Sequence, residues 1–264
     1  MHIHVLDTYS ERASVIHCLD GRVKLALTLL FILTTAVMPD GAWFAYAFLA
    51  AWVWGFVLLS RLGVGWVQRR SIVVLPFALA AITVLFTEPG RPWLSAHVFS
   101  WNVRLTDAGV VRFVTILLKS WLSVQMAIVL TASTPFPLLL QAMRSLGLPQ
   151  VLVAIVGFTY RYIFVIGDEA LRMLRARSAR SGDPNGRGGG NLLWRARVTG
   201  GMAGSLFLRS IERSERIYHA MVARGYNGEV RSMHRLTWQP RDLWLSLPFV
   251  LGLMGIWILG YWGR

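Results

Sequence analysis

The chain has 264 residues, of which 55% are hydrophobic and only 15% charged, and its mean hydropathy is +0.51. A soluble globular protein carries about a quarter charged residues, so this composition excludes an ordinary soluble domain and points to a membrane protein. The formal net charge of +14 then belongs on the cytoplasmic side, where it sets topology and meets anionic lipid; no nucleic-acid motif accompanies it.

Residues 1–22 form a polar lead-in, interfacial or cytoplasmic. His2 and His4 open it, and a free amine with two imidazoles could bind a transition metal; the alternative is a plain interfacial strand or turn. Cys18 is the only cysteine, which rules out a disulfide or thiolate cluster within one chain and reads as a small apolar filler. Asp7, Glu11 and His17 do not make a signal peptide, so the first membrane segment is expected to remain attached and direct insertion.

Residues 23–38 are the first apolar run, short against the ~20 residues a span needs, with Lys24 placed to snorkel to the interface. Pro39-Asp40-Gly41 is a turn, and 42–59 returns across the bilayer with Trp43, Trp52 and Trp54. Arg61, Arg69 and Arg70 mark the next loop as cytoplasmic. Residues 71–87 are a third span that tolerates Pro76 as a kink. An outside loop is expected over 88–107, then a fourth span over 108–131 carrying Arg112 and Lys119. An ionisable residue within a span is a functional candidate by default; a Lys119 paired inside the bundle or reaching a water-filled crevice is the alternative.

The character then changes. Ser133-Thr134-Pro135 supplies a cap and a helix-start proline, and Leu138, Leu139, Ala142, Met143 and Leu146 recur at helical spacing until Gly147. Pro149 opens a further helix in which apolar 151–166 runs on into charged 168–180 without a break, roughly 45 Å in all. Residues 150–167 are thus a sixth span or a helix lying along the bilayer. Ser181 to Pro184 stops it, 186–190 is a flexible loop, and an amphipathic helix follows with a stripe of Phe207, Ile211, Tyr218 and Met221 or Val222. On its other face Glu212 and Arg216 are spaced to pair. Gly225 closes that helix, and 243–261 is the last span.

The sequence therefore predicts an all-α, polytopic helical membrane protein with five spans, or six. Its parts are a bundle over 1–132, a cytoplasmic or interfacial region of long amphipathic helices over 133–242, and a last membrane helix over 243–264. The positive-inside rule puts the N-terminus and the arginine-rich region in the cytoplasm and the C-terminus outside. Phosphate-cradling loops ending in Gly-Lys-Ser/Thr and the Ser, His or zinc motifs of hydrolases do not occur. What stands out is 168–228, dense in arginine, where Ala179-Arg180-Ser181 and Ala223-Arg224-Gly225 each fall at a predicted helix end. Lipid-facing charge accounts for most of these arginines. Arg180 and Arg224, presented where the chain turns, read as protein contacts, because a guanidinium can grip a carboxylate with two bonds.

These features resemble the transmembrane T component of energy-coupling factor (ECF) transporters, of the CbiQ type found in cobalt and nickel uptake. His17-Cys18-Leu19-Asp20-Gly21-Arg22-Val23-Lys24-Leu25 is similar to the family's opening motif. Leu130-Thr131-Ala132-Ser133-Thr134-Pro135, Leu146-Gly147-Leu148-Pro149 and Phe158-Thr159-Tyr160-Arg161-Tyr162 are similar to its middle. Ala179-Arg180-Ser181 and Ala223-Arg224-Gly225 resemble the two Ala-Arg-Gly signatures of its coupling helices; the first departs by Ser181, with Gly182 next in line as the cap and Ala176-Arg177-Ser178 as a rival register. The resemblance implies a non-catalytic scaffold in a prokaryotic cytoplasmic membrane. It implies two ATPase partners that hold ATP and magnesium and receive the signature arginines, and a membrane partner that captures Co²⁺ or Ni²⁺. No cofactor is expected on this chain. A vitamin transporter on the same scaffold, or a self-contained metal channel or carrier built on the histidine-bearing N-terminus and Lys119, remain the competing expectations.

Overall fold

A computed structural model describes residues 9, 10, 12, 14, 16–87, 89, 92–98, 101–181, 191–228 and 240–262. His2, His4 and the 186–190 loop lie outside the described residues. The chain is a polytopic helical membrane protein. Among the described residues four helices are long and apolar enough to cross a bilayer, Val64–Thr87, Asp107–Ser133, Gln150–Arg180 and Trp244–Trp262, beside the shorter apolar Trp43–Leu59. It divides into two compact units: Thr8–Met143 with Leu236–Arg264, and Met1–Asp7 with Arg144–Arg235.

The first unit begins with α1 (Gly21–Val37) and α2 (Trp43–Leu59). Asp20 caps α1, its Oδ1 accepting from the Arg22 N–H at 2.9 Å, where a carboxylate also meets the positive end of the helix dipole. At 17 residues each, these helices are about 25 Å long, a little under the ~30 Å hydrocarbon thickness. The turn between them uses Gly41 at φ 84°, backbone space that other residues rarely enter.

The third span starts earlier than its hydropathy suggests. Residues α3 (Val64–Arg70), a 3₁₀ turn (Ser71–Val74) and α4 (Leu75–Thr87) form one interrupted helix, so Arg69 and Arg70 are helical and only a short turn through Arg61 and Gly63 (φ 55° and 84°) precedes them. Pro76 explains the interruption: it has no N–H for the Ile72 carbonyl and its ring crowds that carbonyl, so the preceding turn tightens. The Arg70 guanidinium lies over the Trp66 ring, 4.1 Å from its centroid, a cation–π contact.

The expected 88–107 loop contains an antiparallel hairpin, β1 (Pro92–Val98) and β2 (Trp101–Thr106), whose register pairs Leu94 with Leu105, Ala96 with Val103 and Val98 with Trp101. Alternating apolar residues in both segments carry that signal. Thr106 then caps α5 (Asp107–Ser133), accepting from the Gly109 N–H at 3.3 Å. Gly109 is where α4 and α5 touch: a Cβ there would lie 2.8 Å from the Leu85 carbonyl oxygen. The short α6 (Phe136–Ser145) follows.

α5 packs against α1 to α4, and the core forms around it. Leu122, Phe31, Leu49 and Val53 are fully buried, joined by Phe249 and Leu253 from α9 (Pro240–Trp262). Phe249 meets Phe56 edge-on, with centroids 5.0 Å apart. Gly252 lets the Trp52 indole lie directly on α9; a Cβ there would sit 2.6 Å from the ring. In lipid such close contact replaces the hydrophobic drive that water would supply, as does the buried Gln125, which donates to Gln68 at 3.5 Å.

The second unit is built on two helices of 32 residues each, α7 (Gln150–Ser181) and α8 (Leu192–Ala223). Gly147 at φ 100° ends the stretch before them. The apolar and charged halves of α7 are one uninterrupted helix, which the absence of proline between Val151 and Arg180 permits and Gly157 and Gly167 do not break.

Candidate docking site on the arginine-rich helices

α7 and α8 run antiparallel: Arg177 donates to Thr199 Oγ1 at 3.2 Å, Arg209 reaches Glu169 at 3.4 Å, and Phe158 meets Tyr226 edge-on. Glu169 is the hub. Its carboxylate takes Arg172 at 2.7 Å, Arg209 at 3.4 Å and Arg213 at 3.7 Å. Each such pair, half open to solvent, contributes about 0–1 kcal/mol, but three on one partly buried carboxylate share the cost of ordering it. In the sequence the spacing of Glu212 and Arg216 is the more visible pair, and Glu169 the less visible acid. Its signal was faint: an acid three residues before Arg172, on a helix otherwise ending in arginines.

The face that α8 turns to α7 is a step round from the one its apolar stripe predicts. Val198, Met202, Leu206, Ser210, Arg213, Ile217 and Met221 are part-buried, at spacings of three and four, whereas Phe207, Ile211, Tyr218 and Val222 stay exposed. The mismatch has a physical reason. Arg213 on the part-buried face reaches Glu169, which sets this row of Val, Met, Leu and Ile against α7 and leaves the stripe of Phe207, Ile211 and Tyr218 exposed. Leu192, Leu193, Phe207 and Leu208 are more than half exposed for the same reason.

The two Ala-Arg sites lie at the C-terminal ends of these helices. Ala179 and Arg180 are exposed in the last turn of α7, which ends at Ser181. Ala223 is the last residue of α8 and Arg224 its exposed cap. There the chain closes in a Schellman arrangement: Gly225 N–H donates to the Val222 carbonyl at 2.9 Å and Tyr226 N–H to the Met221 carbonyl at 3.0 Å, with Gly225 at φ 82°. That geometry ends the helix abruptly and holds Arg224 at its tip. Arg177, the rival for the first motif, donates to Thr199, while neither Arg180 nor Arg224 forms an ion pair among the described residues. Two cavities open between the helices. One, about 560 Å³, is lined by Arg172, Arg177, Arg180, Arg209, Glu169 and Trp194; the other, about 460 Å³, is mainly apolar and includes Phe158, Ile163 and Met221.

The remaining candidates fall in the first unit. Lys119 donates to Asp40 Oδ1 at 3.3 Å and to the Ala36 carbonyl at 3.4 Å, with Arg112 on the same carboxylate at 3.9 Å, so it is a paired lysine. Cys18 is exposed and fills no core position, a correction to its reading as apolar filler; it sits in a turn before α1 rather than inside the helix. Lys24 is buried, its ammonium donating to the carbonyls of Ser133 at 3.2 Å and His17 at 3.4 Å. The motif from His17 to Leu25 thereby clamps the start of α1 to the end of α5, and Asp20 N–H adds a bond to the buried Asp242 of α9 at 3.4 Å. The imidazole of His17 donates from Nε2 to the Ser10 carbonyl at 3.1 Å and meets Ser14 Oγ through Nδ1 at 2.6 Å. Burial lowers its pKa from the ordinary 6.5, the bond to Ser10 opposes this, and Lys24 and Arg12 nearby add to the lowering. No cluster of three His, Cys, Asp or Glu suited to a metal occurs among the described residues.

A family model described as CbiQ, cobalt transport protein, matches residues 12–235. The energy-coupling factor transporter transmembrane protein EcfT of Lactococcus lactis is 28% identical, the match covering 94% of both chains. The cobalt transport protein CbiQ of Rhodobacter capsulatus is 27% identical over 67% of each. An uncharacterized protein of Methanocaldococcus jannaschii is 24% identical over 90% of this chain and 80% of its own.

Proposed function

The chain belongs to the CbiQ family of cobalt transport proteins, and on that premise we propose that it is the coupling subunit of an ECF-type importer for cobalt or nickel. Two ATPase subunits engage Arg180 and Arg224, and a separate membrane subunit captures the metal. ATP and magnesium reside on the ATPases and the cation on the capturing subunit; this chain takes no cofactor. It lies in the cytoplasmic membrane with its N-terminus inside.

One observation carries the reading: two 32-residue helices each end in an exposed guanidinium, on a unit that leaves much of its apolar surface bare. A cation at a helix C-terminus is favourably placed for the dipole, and its fork of donors suits a carboxylate groove on a partner. The antiparallel pair tied at Glu169 behaves as one lever, so closure of the ATPases displaces both tips together, and the bare stripe of Phe207, Ile211 and Tyr218 passes that displacement to whatever covers it.

Arg180→Glu with Arg224→Glu tests this. Each reversal should cost about 2–5 kcal/mol of docking, so cobalt accumulation should fall to background and the ATPases should no longer co-purify, while the amount of inserted protein holds. Normal accumulation by the double variant rejects the proposal.

A further inference from the structure

We propose that the cavity of about 560 Å³ between α7 and α8 is a binding site for the headgroup of an anionic phospholipid. Its volume lies in the ~300–1,000 Å³ range of ligand pockets. Its lining carries Arg172, Arg177, Arg180 and Arg209 against the single carboxylate of Glu169. Although Glu169 and Thr199 occupy part of this set, each guanidinium has five donors, and Arg172 and Arg209 are about 60% exposed, so donors are left for phosphate oxygens. The same lining includes the apolar Met173, Val198, Met202 and the Trp194 ring.

The mixed lining decides the ligand class. Free phosphate would use only the arginines. An amphiphile uses both kinds of side chain, and close to Trp194, in the first turn of α8, Leu192 and Leu193 are 81% and 78% exposed and offer apolar surface to its acyl chains. Depth agrees. Arg172 follows Ile166, the end of the apolar half of α7, by about 9 Å along the helix, so a spanning α7 and one lying along the bilayer both bring the arginines to headgroup level, where basic clusters collect anionic lipid. The proposal does not rest on docking to ATPases, and its test leaves Arg180 untouched and reads the chain alone.

The full chain is placed in phosphatidylcholine nanodiscs doped with brominated phosphatidylglycerol, and quenching of Trp194 is isolated by difference from Trp194→Phe. Brominated phosphatidylglycerol should quench Trp194 and brominated phosphatidylcholine should not. Arg177→Gln with Arg209→Gln should weaken the effect about 25-fold, near fivefold per arginine, and Arg177→Lys with Arg209→Lys should recover most of it. Equal quenching by the two lipids overturns the proposal, as does an unaffected Gln variant. Loss of quenching to inorganic phosphate would make the cavity a free-anion site, and loss to oligoglutamate a protein-docking site; each result also overturns it. The contrast between lipids in the unsubstituted chain stands even if the Gln variant fails to fold.

Discussion

His17 has a partner on each ring nitrogen, and the Ser10 carbonyl requires a proton on Nε2, so the neutral ring that accepts at Nδ1 satisfies both. Burial favours that neutral form and brings the pKa below 6.5. The folded segment therefore binds fewer protons than the unfolded one. Its docking energy is complete above about 6.5 and is lost as pH falls toward the lower folded value. Hydrogen exchange of the amides around 16–20 should accelerate as pH falls below about 6.5, beyond its intrinsic pH dependence, and His17→Asn should flatten that change; a pH-independent protection factor would contradict it. Lys119 shows how far single residues can be read from sequence. Its position inside an apolar run was plain, but the carboxylate that neutralises it belongs to Asp40, in a turn far away along the chain.

Helix ends and close approaches set the behaviour of the elements, and two glycines separate the cases. Gly225 has open space around its missing Cβ but sits at φ 82°. Gly225→Ala should therefore cost only about 1 kcal/mol, as backbone strain at the tip of α8. Gly109 has ordinary backbone angles, but its Cβ would press on the Leu85 backbone. Gly109→Ala should cost more, about 1–3 kcal/mol, because α4 must be pushed off α5. Thermal unfolding of the two variants in detergent should preserve that order; a reversed order would mean that crowding at Leu85 is relieved cheaply. The end of α8 was legible because Gly after a helical run has a local cause. The contact at Gly109 was not, since nothing near it in the chain names Leu85. Pro76 lies between these cases: its disruption was foreseeable, but its form, a 3₁₀ turn inside a helix beginning at Val64, depended on what flanked it.

At the scale of the whole molecule, the proposed coupling role predicts a chain that does not conduct. Reconstituted alone in liposomes, it should pass no Co²⁺ above the leak of empty vesicles, and addition of ATPases and a capturing subunit should confer ATP-dependent uptake. Flux from the chain alone would favour the channel reading. The sequence by itself determined the helical membrane class, the positions of nearly all helices and the two Ala-Arg ends, because hydropathy, caps and breakers act within a few residues of where they are written. Only the tertiary structure decided that Glu169 binds the arginines of both long helices, that α8 turns the row of Val198, Met202 and Leu206 to α7 and leaves its Phe207 stripe exposed, and that Lys24 joins the start of α1 to the end of α5. Those outcomes depend on which surfaces meet, and charges or side chains tens of residues apart are brought within a few ångströms by packing that no local pattern encodes.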